Sequence, residues 1–430
     1  MFNTLKNAWR IPDLRKKLLY TLLIIIAFRF GSVVPVPFLN VSALNTLMAS
    51  ANETALGYIN MLTGGAFANA TLFAMGITPY INSSIIIQLL TVAIPALERM
   101  AKEGEEGRKK IAAITRYTTV GLGLIQGTAY YFYLRNNKIT LYNEGFSAVF
   151  TAIIIVLTFT AGTALIMWMG EQIDNKGIGN GISMILFAGI VSRIPQLVSN
   201  MVTSLSNGTL KWYTAILLVV GILAIMVFIV FITNSERRIP VQYAKRVVGR
   251  KMYGGQSTHL PIKVNMSGVL PIIFAQSIAT LPATIIAFTG TGSSSFWTWM
   301  NTYIFDTRSA FYIVCYFLLI IAFSYFYATI QFNPIEIANN LKKNGGFIPG
   351  FRPGKPTSDF ILKVINKITL FGALYLAIVA ILPIIVGIII KNSSLAVGGT
   401  SVIIVVGVAL ETVKSLEAQM LMRHYKGFLE

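Results

Sequence analysis

Ten apolar runs of about 20 residues recur along the chain, and nothing else in the sequence constrains the fold as strongly. A helix rises about 1.5 Å per residue, so about 20 apolar residues match the hydrocarbon thickness of a bilayer. The runs cover 18–36, 72–97, 117–134, 148–169, 182–201, 213–233, 268–289, 311–332, 370–390 and 399–413. Lipid offers the backbone no hydrogen-bond partner, so each run is expected to be helical. The charge content supports this: 12% of residues are charged and 55% hydrophobic, against about 25% charged in a soluble domain. The chain reads as an all-α polytopic membrane protein.

In a soluble domain a formal net charge of +19 would suggest nucleic acid; in this chain it orients the spans. With the N-terminus in the cytoplasm, most of the 35 Lys and Arg residues fall on that side, as the positive-inside rule requires. The long loops 235–265 and 333–367 and the C-terminus then lie inside as well. Residues 1–17 are basic and lead into the first run without a convincing cleavage site, so the first helix is expected to be retained. Ten spans divide at the polar stretch 204–211 into halves of five, 1–206 and 207–430. An odd count inverts the second half relative to the first, with the working site between them.

The spans are nearly free of ionisable groups, unlike those of ion- or proton-coupled transporters. Arg29, Arg193 and Glu411 lie in or at the ends of spans and are read as snorkelling or helix-end partners rather than a relay. No acid pair, no His and Cys constellation and no nucleophile motif is present, so neither an enzyme nor a cofactor is expected. Gly177, Gly179 and Gly181 join two membrane helices, unlike a phosphate-binding loop, which follows a strand. They read as a tight turn whose Asn180 caps the next helix. Cys315, alone, permits no internal disulfide.

The stretch 57–90 stands apart. Gly57, Gly64 and Gly65 break its first part, too irregular to span a bilayer. The following helix gathers Ile77, Ile81 and Ile85 on one side with Ser84 and Gln88, close to Asn82 and Ser83. Polar groups in hydrocarbon need partners, so that side is expected to face water or other helices. A re-entrant piece sealed against a pore fits this pattern.

The same stretch resembles the plug and second transmembrane helix of the SecY family of protein-conducting channels. GEQIDNKGIGNGIS (170–183), YAKR (243–246), QSTHLPIKVNMSGVLP (256–271), NPIEIANNLKKNGGFIPGFRPG (333–354) and GGTSVIIVV (398–406) resemble the same family in the same order. The resemblance implies ten helices in two inverted halves around a central pore, closed by a re-entrant plug at about 58–72. It puts an aliphatic pore ring at Ile77, Ile81, Leu186, Ile190, Ile273 and Ile404, where Leu186 replaces the commoner isoleucine at similar volume. Plug positions are Tyr58, Leu62, Gly64, Gly65 and Phe67. It further implies sideways opening between the second and third helices and the seventh and eighth. Asn82, Gln88, Gln126, Gln276 and Thr280 are polar positions there, open equally to a gating role and to ordinary interhelical hydrogen bonding.

Both long loops exceed the roughly 12–15 residues at which structureless connections become uncommon. The first interleaves Arg237, Arg238, Lys245, Arg246, Arg250 and Lys251 with Ile239, Val241, Tyr243 and Val247 and reads as a basic hairpin. The second sets Arg352 between Gly350 and Pro353 on a stiff turn. Positive-inside bias alone accounts for such charge; the resemblance implies docking of the ribosome and of the SecA motor ATPase. Other implied partners are SecE-like and SecG-like small subunits, secretory and membrane protein precursors, a YidC-like insertase and a SecDF-like complex, at a bacterial plasma membrane. Without an ATPase of its own, the channel would draw energy from a partner or the membrane potential. An uncoupled solute transporter and a non-conducting scaffold also fit ten spans. The first leaves the basic loops unexplained, and the second has no need of a glycine-broken plug.

Overall fold

The computed structural model describes residues 2–51, 55–142, 144–208, 211–243, 246–248, 251–253, 257–266, 268–289, 300, 303–304, 306, 309–390 and 398–426. The side chains of Tyr58, Arg246 and Lys251, and Lys245 and Arg250 altogether, lie outside what is described.

In chain order the helices are α1 (Phe2–Arg10), α2 (Pro12–Gly31), α3 (Val41–Ala51), α4 (Ala55–Leu62), α5 (Thr78–Ala93), α6 (Pro95–Lys102), α7 (Glu105–Asn136), α8 (Gly145–Lys176), α9 (Gly181–Val191), α10 (Ile194–Ser206), α11 (Trp212–Asn234), α12 (Leu270–Thr289), α13 (Ala310–Gln331), α14 (Pro334–Lys343), α15 (Lys355–Ile390) and α16 (Gly398–Lys426). All ten apolar runs are thus largely helical. Among the described residues five helices are long and apolar enough to cross a membrane, or six if α5 and α6 form one broken span. The count of ten is therefore not established by length and apolarity alone.

Two expected spans differ in detail. The run 72–97 is not one helix. Its first residues form turns, α5 starts at Thr78, and α6 departs from α5 at an angle of 100°. Pro95 is the cause: it has no N–H to donate and forces Ile94 into an extended conformation (φ −106°, ψ 115°). The run 182–201 is likewise divided between α9 and α10, with Pro195 in the first turn of α10. The expected cap is present: Asn180 Oδ1 accepts from the Ser183 N–H at 3.0 Å, and Gly179 has φ +78°.

The two long loops form one small unit. Strands β1 (Glu236–Tyr243) and β4 (Ser257–Lys263) pair antiparallel from Glu236 opposite Lys263 to Gln242 opposite Ser257. At the tip, β2 (Arg246–Val248) pairs with β3 (Lys251–Tyr253), so the expected hairpin is present. The second loop then adds β5 (Gly346–Phe347) to the free edge of β1, an association the sequence did not announce. Ile239 and Val241 alternate with exposed residues along β1, and their buried face meets Ile262, Leu341, Ile348, Ile361 and Ile365. Ile361 and Ile365 belong to α15, whose later residues Tyr375, Leu376 and Ala380 join the main apolar cluster. One helix therefore serves two cores.

Ile361 is fully buried, so Ile361→Ala should weaken this unit by about 2–5 kcal/mol. Amide hydrogen exchange in β1 and β4 is the measurement; parent-like protection there would mean that α15 does not support the sheet.

Candidate pore, plug and gate

Aliphatic side chains from four helices, those expected to form the pore ring, fall in one buried apolar cluster. Ile77 caps the N-terminus of α5 and Ile81 lies one turn on; Leu186 and Ile190 come from α9, Ile273 from α12 and Ile404 from α16. All six are at most 6% exposed and share one buried cluster. The cluster also holds Leu62 and Ala66 of the glycine-broken segment. Such a contact is non-directional and has no hydrogen bond or charge to offer a passing side chain. A narrow apolar neck of this kind excludes water and ions when empty.

The segment after α4 is built from turns. Gly64 (φ +67°) follows the end of α4, and the Gly65 N–H reaches back to the Asn60 carbonyl at 2.8 Å, the Schellman arrangement that stops a helix. The Asn60 side chain accepts from the Ala68 N–H at 2.9 Å and Thr63 Oγ1 from the Phe67 N–H at 3.2 Å. Residues 70–72 pair with 34–36, Val36 N–H donating to the Ala70 carbonyl and Leu72 N–H to the Val34 carbonyl, each at 3.0 Å. Phe67 is fully buried in a second apolar cluster. Its ring stacks on Tyr130 of α7 with centroids 4.4 Å apart, and the Tyr130 hydroxyl donates to the Phe67 carbonyl at 2.8 Å. Sequence reading missed Tyr130, which carried no signal beyond lying in an aromatic-rich helix.

The five polar gate positions separate into three groups. Asn82, Gln126 and Thr280 line one cavity of about 270 Å³ where α5, α7 and α12 meet, alongside Ile81, Leu62 and Phe67. Gln276 bonds within its own half, donating to the Tyr312 hydroxyl of α13 at 3.0 Å. Gln88 bonds across the gap: its Oε1 accepts from the Tyr327 hydroxyl of α13. Tyr327 was the unseen partner, because a tyrosine inside an apolar run reads as packing. Neighbouring Ser83 is an ordinary interhelical donor, to the Thr115 carbonyl of α7 at 2.9 Å.

Of the docking positions, Arg237 and Arg238 are exposed on β1, and Arg238 Nε pairs with Glu236 at 2.7 Å. Arg352 is exposed on a turn whose backbone is pinned. Thr357 Oγ1 donates to the Arg352 carbonyl at 2.8 Å, and Phe351 stacks on Phe360 at 4.2 Å.

Comparison with known proteins agrees with this arrangement. The SecY family model matches residues 71–413. The chain is 45% identical to "Protein translocase subunit SecY" of Bacillus subtilis (strain 168) and 44% identical to that of Streptomyces coelicolor, each over the full length of both chains. Among solved structures it is similar to "The structure of a protein conducting channel", with a TM-score of 0.66 at 16% identity over 94% of this chain and 92% of that one. A structure described as "The plug domain of the SecY protein stablizes the closed state of the translocation channel and maintains a membrane seal" gives 0.62 at 16% identity, with the same coverage.

The Gln88–Tyr327 bond yields a test. Interhelical bonds in membranes are worth about 0.6 kcal/mol, close to threefold. In a Cys315→Ser background, Tyr327→Phe should slow disulfide formation between cysteines replacing Asn82 and Thr280 by about threefold, with no further effect from Gln88→Leu. An unchanged rate would remove this bond from the gate. With the helices, the waist and the family match in register, the chain belongs to the SecY family.

Proposed function

We propose that this chain is the protein-conducting channel of a Sec translocon, passing unfolded secretory polypeptides across the membrane and releasing hydrophobic segments sideways into lipid. The observation that carries the reading is the aliphatic waist: six side chains from α5, α9, α12 and α16 buried together above a segment that has its own turn structure. A transported chain of any sequence needs a neck that binds none of it, and an aliphatic ring meets that need. Segment 58–72 acts as the plug, and Asn82, Gln126 and Thr280 line the cavity through which the lateral gate opens.

Ten spans in two inverted halves, 1–206 and 207–430, with both termini in a bacterial cytoplasm, complete the reading. The channel has no ATPase of its own. It works with SecE-like and SecG-like subunits and takes its drive from SecA, the ribosome or the membrane potential. A similar structure is a channel in the canine ribosome–channel complex from the endoplasmic reticulum, with a TM-score of 0.61 at 15% identity over 94% of this chain and 92% of that one. It supports assigning the basic hairpin to ribosome contact, where phosphates would meet Arg237 and Arg238 and affinity would fall with salt.

The deciding experiment places single cysteines at Ile81, Ile190, Ile273 and Ile404 in a Cys315→Ser background and challenges them with a stalled secretory precursor. Crosslinks at all four, absent from lipid-facing controls, put the polypeptide in the waist; none, with the precursor engaged, would return the transporter and scaffold readings. Arg352→Glu should impair SecA-driven export into vesicles while leaving the channel assembled, and undiminished export would refute that docking role.

A further inference from the structure

Arg29 is a half-buried cation in a membrane protein with no role in the reading above. It lies in the last turn of α2, and its Nη1 is buried without a hydrogen-bond partner among the described residues. Of the two expectations for this residue, snorkelling and a helix-end partner, the buried Nη1 favours the second. An ionisable group held in such a place is costly and is retained for a reason.

Its surroundings supply one. A Cβ placed on Gly64 would stand 2.7 Å from Arg29 Nη1 and 2.9 Å from both the Gly189 carbonyl oxygen and Ser192 Oγ. Gly64 directly follows the C-terminal end of α4, and Gly189 and Ser192 are the C-terminal end of α9. The ends of α4 and α9 are themselves in contact: a Cβ on Gly189 would be 2.6 Å from the Leu62 carbonyl oxygen. The C-terminal ends of α4 and α9 therefore meet at one guanidinium. Each C-terminus carries a partial negative charge of about one half, and a cation beside it is stabilised within the last turn. Among the described residues Arg29 forms no ion pair with a carboxylate, so this compensation comes from backbone.

We infer that Arg29 is an electrostatic latch for the plug: its guanidinium holds the C-terminal end of α4 against that of α9 and so favours the closed state. When the plug leaves, the cation loses one of its two compensating helix ends, and that loss is what resists departure. The inference rests on the reading of segment 58–72 as the seal. It concerns a positioning residue, since Arg29 touches no translocating chain in this arrangement.

The test uses the assembled channel complex in vesicles, with Ala66→Cys in the Cys315→Ser background as reporter. Ala66 is 1% exposed, so labelling by a membrane-impermeant maleimide from the outer side requires the plug to move. Arg29→Gln should raise the labelling rate roughly three- to thirtyfold, the range of a partly buried charge at a helix end, and raise ion leak with it. Arg29→Lys, which keeps the charge, should label within about threefold of the parent. Parent-like labelling of Arg29→Gln would overturn the latch, as would Arg29→Lys labelling as fast as Arg29→Gln. Deleting residues 63–70 is the separate control. Leak in the deletion with parent-like Arg29→Gln sinks the latch alone, whereas no leak in the deletion sinks the sealing reading and leaves labelling to decide the latch. Should Arg29→Gln fail to accumulate, Gly64→Ala disturbs the same point, and parent-like labelling of that variant overturns the proposal.

Discussion

Irregular backbone inside a membrane protein survives only if its polar groups are satisfied locally, and much of the backbone between Leu62 and Thr78 meets that constraint. Gly65, Phe67, Ala68, Ala70, Thr71, Ala74 and Gly76 all donate their N–H groups to acceptors within residues 60–73. Among the described residues the bonds that leave the segment include the pairing with residues 34–36, the Tyr130 hydroxyl on the Phe67 carbonyl and the Asn45 side-chain amide on Asn69 Oδ1. A unit bonded in this way can move without stranding many donors in hydrocarbon. Besides the Arg29 latch, its hold on the protein is apolar contact, Leu62 and Ala66 in one cluster and Phe67 in the other, which is non-directional and re-forms on return.

The same economy governs the waist and the gate. The six aliphatic side chains of the candidate waist share one buried apolar cluster, and a hydrogen bond from Tyr327 to Gln88 crosses between α5 and α13. The sheet built from the two long loops, in contrast, has an independent core in Ile239, Val241, Ile262 and Leu341, so a partner can grip it without first disturbing the waist. The two are joined by α15. From Ile361 in the sheet core to Leu376 in the pore cluster is 15 residues, about 22 Å of continuous helix. Force applied to the loops has a stiff element along which to reach the channel.

Hydrophobic periodicity made most of this legible, because in lipid an apolar run has one conformation open to it. Asn180 as a cap and Ile239 and Val241 as the inner face of a hairpin followed from local rules. What stayed hidden depended on tertiary position. The 100° bend was written in Pro95, yet an apolar run of 26 residues outweighed one proline in the reading. The addition of β5 to β1 joins loops a hundred residues apart, and only two residue pairs make it. Tyr130 and Tyr327 act through a single hydroxyl on an otherwise apolar ring, so composition counts them as core. Gln276 was legible as a polar group needing a partner, but not that its partner, Tyr312, lies on its own side of the gate.

Adjacent glycines at the plug show why position decides meaning. Gly65 has φ +92° and open space where a Cβ would go, so only its backbone conformation demands glycine. Gly64 has φ +67° and no room as well, because the Arg29 guanidinium, the Gly189 carbonyl and Ser192 Oγ already surround that point. Gly189 opposite has an ordinary helical backbone, yet a Cβ there would strike the Leu62 carbonyl oxygen. The first glycine shapes a turn, whereas the other two set how closely two helix ends approach. A side chain at Gly65 would strain the segment wherever it went. One at Gly64 or Gly189 would act on the docked state, and so on the balance between the plug seated and the plug withdrawn.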